Sequence, residues 1–573
     1  MPARDGPCEA SIVLRKPLRI ALLPLCAALL GARAPVPSGS PEIAVAPERL
    51  RSHMEVLADD LLEGREAGTR GDALAQLYLA SRFREIGLQP AGDAGTYLQR
   101  FRVRATTLEP ESVDFRVAGH RFPNGEDVAV FGDPLEADQR VEAEAVFAGY
   151  GIVAPERGID DYRGLDVRGK VVALLGGPPA FLPAAEAAHY GSTEQQRATA
   201  EAKGAIGVVI LWTPALEQRF PFNGLKPLLA RTDLNWLAPD GTPHQPAPKV
   251  RLRAFTRGAA TDALLARSGR SFAALLKEAK TRSPKAFALR TRVSLARRSR
   301  HDDSLSTANV AALLPGSDPR LRDELVVLTA HFDHVGVGPP VQGDSIYNGA
   351  LDNAVGTAML LEVARAIVAA PQRPKRSILF LAVAAEEKGL IGSDYFASRP
   401  TVPGATIVAD INLDGAMPFY DFSDVIAFGA EQSQMGERLA AAAGELGLSV
   451  APDPFPEEGI FTRSDQYSFV KGGVPSLFLY MGFHDMEGRN VGRGLWDKLN
   501  ETIVHQPGDD LSQAIDYAVA AKFADVFRRV TLETANAPQR PLWYRGSVFG
   551  QRFAPGSPKP DPPRAHQGSG SPR

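Results

Sequence analysis

The chain has 573 residues, with 64 basic and 67 acidic side chains and a formal net charge of −3. This length exceeds one ordinary domain and predicts two or three structural units. The near balance of charge, without a basic block beyond the N-terminus, argues against a nucleic-acid partner. The two cysteines, Cys8 and Cys26, both lie near the N-terminus. The rest of the chain therefore offers neither disulfides nor a thiol nucleophile.

The N-terminus has the order of a secretory signal peptide. Arg15, Lys16 and Arg19 precede the apolar run IALLPLCAALL, and the small-residue sequence GARA follows it. The run is too short to span a bilayer as a mature helix. Cys26 suggests a lipoprotein as the alternative, but a bulky leucine precedes it. We predict a signal peptide over residues 1–34, ordinary export, and a periplasmic or secreted protein with no membrane span in its mature chain.

Two helices are predicted ahead of any sheet. Apolar residues recur at helical spacing in PERLRSHMEVLADDLL and GDALAQLYLASRFREIGL, and the Gly-rich EGREAGTRG separates them. We assign residues 43–115 to the first part of the main domain.

From about residue 116 to residue 290 the pattern changes to short strands and turns. The runs AEAVFAGYGI, GKVVALLGG and AIGVVILW are typical of strands, and STEQQRATAEAKG is typical of a helix. This part of the sequence has no cluster of chemically active residues. It is therefore predicted to be a β-rich accessory module inserted into the main domain.

After Asn309 strands and helices alternate. Strands are predicted in NVAALLPG, DELVVLTA, RSILFLAVAA, TIVADINLDG and VPSLFLYMGF, with a helix in NAVGTAMLLEVARAIVAA. This alternation favours an α/β fold with a mainly parallel mixed sheet and helices on both faces. We assign residues 291–540 to the main part of this domain and 555–573, rich in Pro, Gly and Ser, to a disordered tail.

Polar side chains follow several of these strands, and they are His331, Asp352, Glu386, Glu387, Asp414 and His505. Each taken singly has an ordinary explanation, such as a helix cap or a turn. Together, two imidazoles and several carboxylates at one edge of a sheet suit zinc. The surplus of carboxylates suits two ions that share a bridging ligand. Alternation along an extended chain puts Asp333 on the same side as His331, where it could orient the imidazole, and turns His334 elsewhere.

The sequence resembles the dizinc aminopeptidases of metallopeptidase family 28. The resemblance covers most of residues 47–535 and rests on AHFDHVG, GALDNAVG, AAEEKGLIGS, INLDG, RSDQYSF and VHQPGDD, in the family's order. It implies the zinc exopeptidase fold. The runs VFAGYGI, DDYRGLDVRGKVVAL and EAKGAIGVVIL are similar to the protease-associated domain often inserted in this family.

The resemblance also implies how two Zn²⁺ ions are held. Asp352 looks like the bridging ligand. His331 and Asp414 complete one site, and Glu387 and His505 complete the other.

The remaining roles concern catalysis and substrate. By the same match Glu386 is the general base and Asp333 supports the imidazole of the first site. Many members have Ser-Asp-His where this chain reads Ser-Asp-Gln, and some have Tyr where it has Val before the last ligand. Three candidates for contact with the substrate carbonyl therefore stay open, namely Arg463, Tyr480 and His484.

The function expected from these features is that of an exported dizinc aminopeptidase. It would hydrolyse N-terminal residues from peptides by a metal-bridged water, with Glu386 as general base. Two alternatives stay open: a carboxypeptidase or aminoacyl-amide hydrolase on the same scaffold, and a metal-free receptor-like binding protein.

Overall fold

The computed structural model describes residues 44–563. The predicted signal peptide, both cysteines and residues 564–573 of the tail lie outside the described residues. None of the helices between residues 44 and 563 has the length and apolar character needed to cross a membrane.

Two helices precede the sheet, as predicted. The elements of this part are α1 (Pro47–Leu57), α2 (Arg70–Ile86), β1 (Gln89–Pro90) and β2 (Leu98–Leu108). The side chain of Thr69 accepts a hydrogen bond from the backbone N–H of Asp72 and caps the start of α2. Gly87 ends α2 in the left-handed region, where glycine carries no steric penalty.

The middle of the chain builds a second sheet with helices. The strands of this part of the chain are β3 (Asp114–Val117), β4 (His120–Phe122), β5 (Val128–Ala129), β6 (Asp138–Phe147), β7 (Val153–Ala154), β8 (Ile159–Asp160), β9 (Val171–Leu175), β10 (Gly207–Leu211), β11 (Thr232–Trp236), β12 (Leu252–Thr256) and β13 (Phe287–Asp302). Of these, β7 and β8 form a separate antiparallel pair, and β11 pairs with β2. The helices of this part are α3 (Ala184–Gly191), α4 (Thr193–Ala202), α5 (Pro214–Arg219), α6 (Leu225–Leu228), α7 (Gly258–Leu265) and α8 (Phe272–Ala279).

The last part of the chain carries the main sheet. The strands of this part of the chain are β14 (Ser306–Leu314), β15 (Glu324–His331), β16 (Gly336–Val341), β17 (Asp344–Tyr347), β18 (Ser377–Val383), β19 (Thr406–Leu413), β20 (Asp424–Phe428), β21 (Ser449–Ala451) and β22 (Ser476–Met481). Of these, β16 and β17 form a separate antiparallel pair. The helices of this part are α9 (Val355–Ala369), α10 (Ile391–Ser398), α11 (Met435–Gly444), α12 (Gln466–Lys471), α13 (Gly492–Thr502), α14 (Tyr517–Asn536) and α15 (Val548–Phe553).

The main sheet is mixed, with a parallel centre. Strands β18, β15, β19 and β22 are parallel neighbours in that order. At one side β14 runs antiparallel to β18 and also pairs with β2. At the other side β20 runs antiparallel to β22. The carboxyl ends of the four central strands therefore meet at one edge.

Helices cover both faces of this sheet, as predicted. Val326 and Leu328 of β15 belong to the core cluster that contains α9 and α14. Val327, between them, belongs to a second cluster that includes Phe396 of α10 and Phe469 of α12. Successive strand residues point to opposite faces, so a strand buried on both faces reads as a continuous apolar run. This explains why DELVVLTA could be assigned to a strand.

The middle segment contains more helix and more parallel pairing than its sequence predicts. Strands β6, β9, β10 and β12 are parallel neighbours, and six helices accompany the sheet in this segment. The predicted boundary at residue 290 falls inside β13, a strand of 16 residues that pairs with β6 and β3 at one end and with β2 at the other. The segment's identity as a protease-associated domain stays a prediction.

The tail expected to be disordered from residue 555 instead contacts the domain where the structure describes it. The backbone N–H of Arg545 donates to the carbonyl of Pro560 at 2.9 Å, and its guanidinium lies 2.7 Å from Asp561. The prediction of disorder rested on low hydrophobicity, and these contacts between largely exposed groups reach only to Asp561.

Candidate metal centre

Two parallel strands and the turn before α9 bring the first group of predicted ligands together. His331 is the last residue of β15, and Asp414 follows the last residue of β19. The Nε2 atom of His331 lies 3.0 Å from Asp414 Oδ1 and 3.2 Å from Asp352 Oδ1. Asp352 arrives from the turn before α9.

The second group shares Asp352. His505 Nε2 lies 3.2 Å from Asp352 Oδ2 and 3.0 Å from Glu387 Oε2. Each oxygen of Asp352 therefore faces a different imidazole. A carboxylate that bridges two ions needs this placement, with one oxygen toward each side.

The donors fit zinc in type and spacing. The potential ligand atoms in each group all lie within 4.8 Å of one another, and imidazole nitrogen and carboxylate oxygen are ordinary zinc ligands. Burial lowers the pKa of His331, but the carboxylates of Asp414 and Asp352 outweigh it and raise that pKa well above its usual value. Partial burial likewise opposes a charge on His505, yet Asp352 and Glu387 raise its pKa to about 11. The cluster thus attracts positive charge, which divalent cations supply.

His334 belongs to this cluster, so the prediction that it points elsewhere is wrong. Its Nδ1 atom lies 2.8 Å from Glu387 Oε1, and its ring is fully buried. Strict alternation failed because β15 ends at His331 and the chain turns directly after it. The second histidine of AHFDHVG was visible in the sequence, but its direction was not.

Asp333 supports the site through a contact that was not predicted. Its carboxylate lies 3.9 Å from His331 Nδ1, and its backbone carbonyl takes the contact with that nitrogen at 3.2 Å. The carboxylate instead accepts hydrogen bonds from the backbone N–H groups of Glu386, at 3.0 Å, and Glu387, at 3.4 Å. It therefore fixes the turn that carries both glutamates, and complete burial raises its pKa to about 8.

The two adjacent glutamates occupy opposite electrostatic environments. Burial, together with the charges of Asp414 and Glu387, raises the pKa of Glu386 well above its usual value. Burial also opposes ionisation of Glu387, but hydrogen bonds with His334 and His505 hold its pKa at about 2. Glu387 is therefore the better anion, and Glu386 is the group more ready to hold a proton.

Further side chains position the ligands. Ser464 donates a hydrogen bond of 2.5 Å to Asp414 Oδ2. Asp509 accepts from the backbone N–H groups of Leu351, at 2.7 Å, and Asp352, at 3.0 Å. Ser464 lies in the motif RSDQYSF and Asp509 in VHQPGDD, so these motifs were the sequence signal that could have predicted both contacts.

Asn353 ties the strand ends together and caps a helix. Its amide nitrogen donates to the backbone carbonyls of His331, at 3.3 Å, and Leu413, at 2.9 Å. Its amide oxygen accepts from the backbone N–H of Gly356 in the first turn of α9. Asn353, rather than the predicted ligand Asp352, therefore caps this helix.

The three candidates for substrate contact lie in different surroundings. Tyr480 is buried on β22, and a side chain added at Gly415, next to Asp414, would lie 3.6 Å from its ring. His484 is half-exposed, and its Nδ1 lies 2.7 Å from Asp424. Arg463 is also half-exposed and lies 3.6 Å from Glu458. Tyr480 therefore lies close to the backbone beside Asp414.

A family comparison now identifies this part of the chain. Residues 309–531, which include every predicted ligand, match the model of peptidase family M28. These residues form a peptidase family M28 domain. The predicted family is therefore confirmed.

Curated relatives of the M28 domain include probable zinc metalloproteases of fungi. One from Leptosphaeria maculans is 26% identical over 275 residues, which cover 41% of this chain and 58% of that protein. One from Pyrenophora tritici-repentis is 38% identical over 261 residues, with the same two shares of 41% and 58%. Aminopeptidase Y of Saccharomyces cerevisiae is 29% identical over 216 residues, or 36% of this chain and 35% of that protein. The chain thus spans little more than half the length of these relatives at most.

Solved structures resemble the chain over most of its length. The aminopeptidase from Aneurinibacillus sp. strain AM-1 aligns with 87% of this chain and 96% of its own, at 18% identity and a TM-score of 0.48. BSAP, a zinc aminopeptidase from Bacillus subtilis, aligns with 87% of this chain and 97% of its own, at 20% identity and a TM-score of 0.43.

Proposed function

We propose that this protein is an exported zinc aminopeptidase that uses two Zn²⁺ ions to remove N-terminal residues from peptides. The observation that carries the proposal is Asp352, whose two oxygens face His331 and His505 at 3.2 Å each. Membership of peptidase family M28 supports hydrolysis of peptides, and the names of the relatives support zinc and aminopeptidase action. The predicted signal peptide supports a periplasmic or secreted location.

The ligands divide into two sites with a common bridge. His331 and Asp414 would hold one ion, and Glu387 and His505 the other, with Asp352 between them. Two bound zinc ions supply an activated water and a polarised scissile carbonyl.

Glu386 is the proposed general base. Glu386 is not among the potential ligands of either group. The raised pKa of its carboxyl suits a group that takes a proton from water and passes it to the leaving amine. Asp333 would hold Glu386 in place through the backbone N–H at 3.0 Å. The carboxylates that surround the cluster favour a substrate's free ammonium group, which supports action at the N-terminal end.

Paired substitutions at the two glutamates test these roles. Glu386→Gln keeps the shape but removes the base, so turnover should fall by roughly 100- to 10,000-fold with metal content unchanged. Glu387→Gln removes an anionic ligand, so one ion should be lost and added zinc should restore part of the activity. Metal stoichiometry and kcat are measured on the same preparations. Loss of an ion from Glu386→Gln, with Glu387→Gln fully loaded, would reverse the assignment.

The choice of substrate end has its own control. Aminoacyl reporter amides and free peptides should be cleaved, whereas peptides acetylated at the N-terminus should not. Equal cleavage of free and acetylated peptides would favour the carboxypeptidase alternative. Less than one metal ion per purified chain would favour the receptor-like alternative.

A further inference from the structure

A cavity of about 570 Å³ lies in the middle segment, beside the turn that follows Glu387. Its lining contains four cationic side chains, Arg197, Arg253, Arg297 and Lys388. Its lining also contains four aromatic side chains, Phe131, Trp212, Phe220 and Phe255. A cavity of this size with a mainly apolar wall and a few convergent polar groups is typical of a small-molecule site.

Three of the four cations already have an anionic partner. Arg297 and Arg253 share one carboxylate oxygen of Asp133, at 2.6 and 2.9 Å. Lys388 lies 2.6 Å from Glu66. Asp233 also lines the cavity, and burial raises the pKa of its carboxyl.

Arg197 is the cation left over. No described residue forms an ion pair or hydrogen bond with its guanidinium, which lies 5.8 Å from the ring centroid of Phe255, and its buried Nε has no partner. Glu194, an acidic group on the same helix, lies 3.2 Å from Lys471 instead. Burial and repulsion from Arg253, with a further contribution from Arg297, lower the pKa of Arg197 to about 9. Arg197 is only partly buried, but its buried Nε has no acceptor among the described residues, so an acceptor that enters the cavity can pair with the guanidinium.

We propose that this cavity binds a small organic carboxylate, with the carboxylate on Arg197 and an apolar body against the aromatic wall. A planar guanidinium pairs with a carboxylate through two parallel hydrogen bonds. The same chemistry has two sources, a free carboxylic acid or the C-terminal carboxylate of a peptide. The site shares no residue with the predicted metal ligands.

Calorimetric titration of the purified zinc-loaded protein tests the site. The probes are 4-phenylbutyrate and its uncharged amide, 4-phenylbutyramide. We expect the acid to bind at least ten times more tightly than the amide. Arg197→Gln should reduce the affinity for the acid by about 10- to 100-fold, the usual loss for a hydrogen bond to a charged group. Arg267→Gln, at an exposed arginine of the same segment, should bind as the wild type does.

Two further measurements separate a ligand site from a structural arginine. Arg197→Gln should melt at the same temperature as the wild type or higher, because the guanidinium has no ion pair or hydrogen bond with the described residues to lose. Leu216→Glu, on the cavity wall, should block the acid by placing a tethered carboxylate beside the guanidinium. Acid binding unchanged in both variants would place it elsewhere, for example at the metal centre, and would overturn the proposal. Equal binding of acid and amide would also overturn it.

A final comparison identifies the source of the carboxylate. An N-acetylated tripeptide with a free C-terminus is titrated against the same peptide amidated at that end. Acetylation keeps the peptide intact if the aminopeptidase proposal holds, and binding needs no turnover, so the two proposals fail independently. Tighter binding of the peptide acid than of 4-phenylbutyrate supports a peptide end, and the reverse order supports a free acid.

Discussion

His334 and His505 contact the two oxygens of Glu387, one each, at 2.8 and 3.0 Å. If Glu387 held an ion through the oxygen that faces His505, His334 would still hold the other oxygen and orient the carboxylate. Partners of this kind orient a metal ligand and keep it ionised.

Removing His334 should therefore weaken one metal site. We expect His334→Ala to reduce the affinity for one zinc ion by about 10- to 100-fold and to leave the other ion in place. Zinc titration against a competing chelator measures both affinities. His484→Ala, at a half-exposed histidine bonded to Asp424, is the control. Unchanged affinities in His334→Ala would show that Glu387 needs no such support.

The position of a site residue could be predicted from the sequence where it depends only on which strands are neighbours. His331 and Asp414 end neighbouring parallel strands, so their meeting follows from the fold class. The directions of Asp333 and His334 depend on the local turn after β15, which alternation does not describe.

At the scale of elements, one arginine links the N-terminal helices to the loops of the metal centre. Arg65, between α1 and α2, is fully buried and donates to the backbone carbonyls of Leu57, Phe332, Asn348 and Gly349. The last three carbonyls flank His331, His334 and Asp352 along the chain. The sequence EGREAGTRG predicts a loop, but not that its arginine reaches residues more than 260 positions away.

Replacing Arg65 should weaken its hold on the loop that contains Phe332 and on the loop that contains Asn348 and Gly349. An ammonium cannot satisfy four carbonyls that are arranged around a guanidinium, so Arg65→Lys should lower the free energy of unfolding by roughly 2–5 kcal/mol. Urea unfolding measures the change, and Arg70→Lys, at an exposed arginine five residues later, is the control. Equal stability of the two variants would mean that Arg65 does not hold the loops.

The elements themselves were predictable where they are long or continuously apolar. The central strands and α9 fall in that class, because apolar runs and helical periodicity extend over enough residues to be recognised. Helices α5 to α8 have four to eight residues, about one to two turns, and their periodicity is too short to detect. The parallel pairing of β9 with β10 joins distant segments and leaves no local signal.

At the scale of the whole molecule, β13 and the hydrophobic core join the middle segment to the M28 domain. One core cluster contains Phe115 of β3 and Val293 of β13 in the second sheet, and it also contains Leu351, the residue before the predicted bridging ligand. An interface that shares one hydrophobic core resembles the interior of a single domain more than a contact between mobile domains. We therefore expect residues 116–290 to keep a fixed position against the M28 domain rather than to move independently.

The described chain should consequently unfold as one unit. Phe115 is fully buried, so Phe115→Ala should lower the free energy of unfolding by about 3–5 kcal/mol. The melting temperature of the whole molecule should fall, and peptidase activity should be lost at the same lower temperature. Differential scanning calorimetry and residual activity are followed together, with Phe220→Ala, at an exposed phenylalanine of the same segment, as the control. A first transition that melts the middle segment and spares the activity would contradict this coupling. The segment would then be a separate domain, with boundaries near those that the sequence alone predicts.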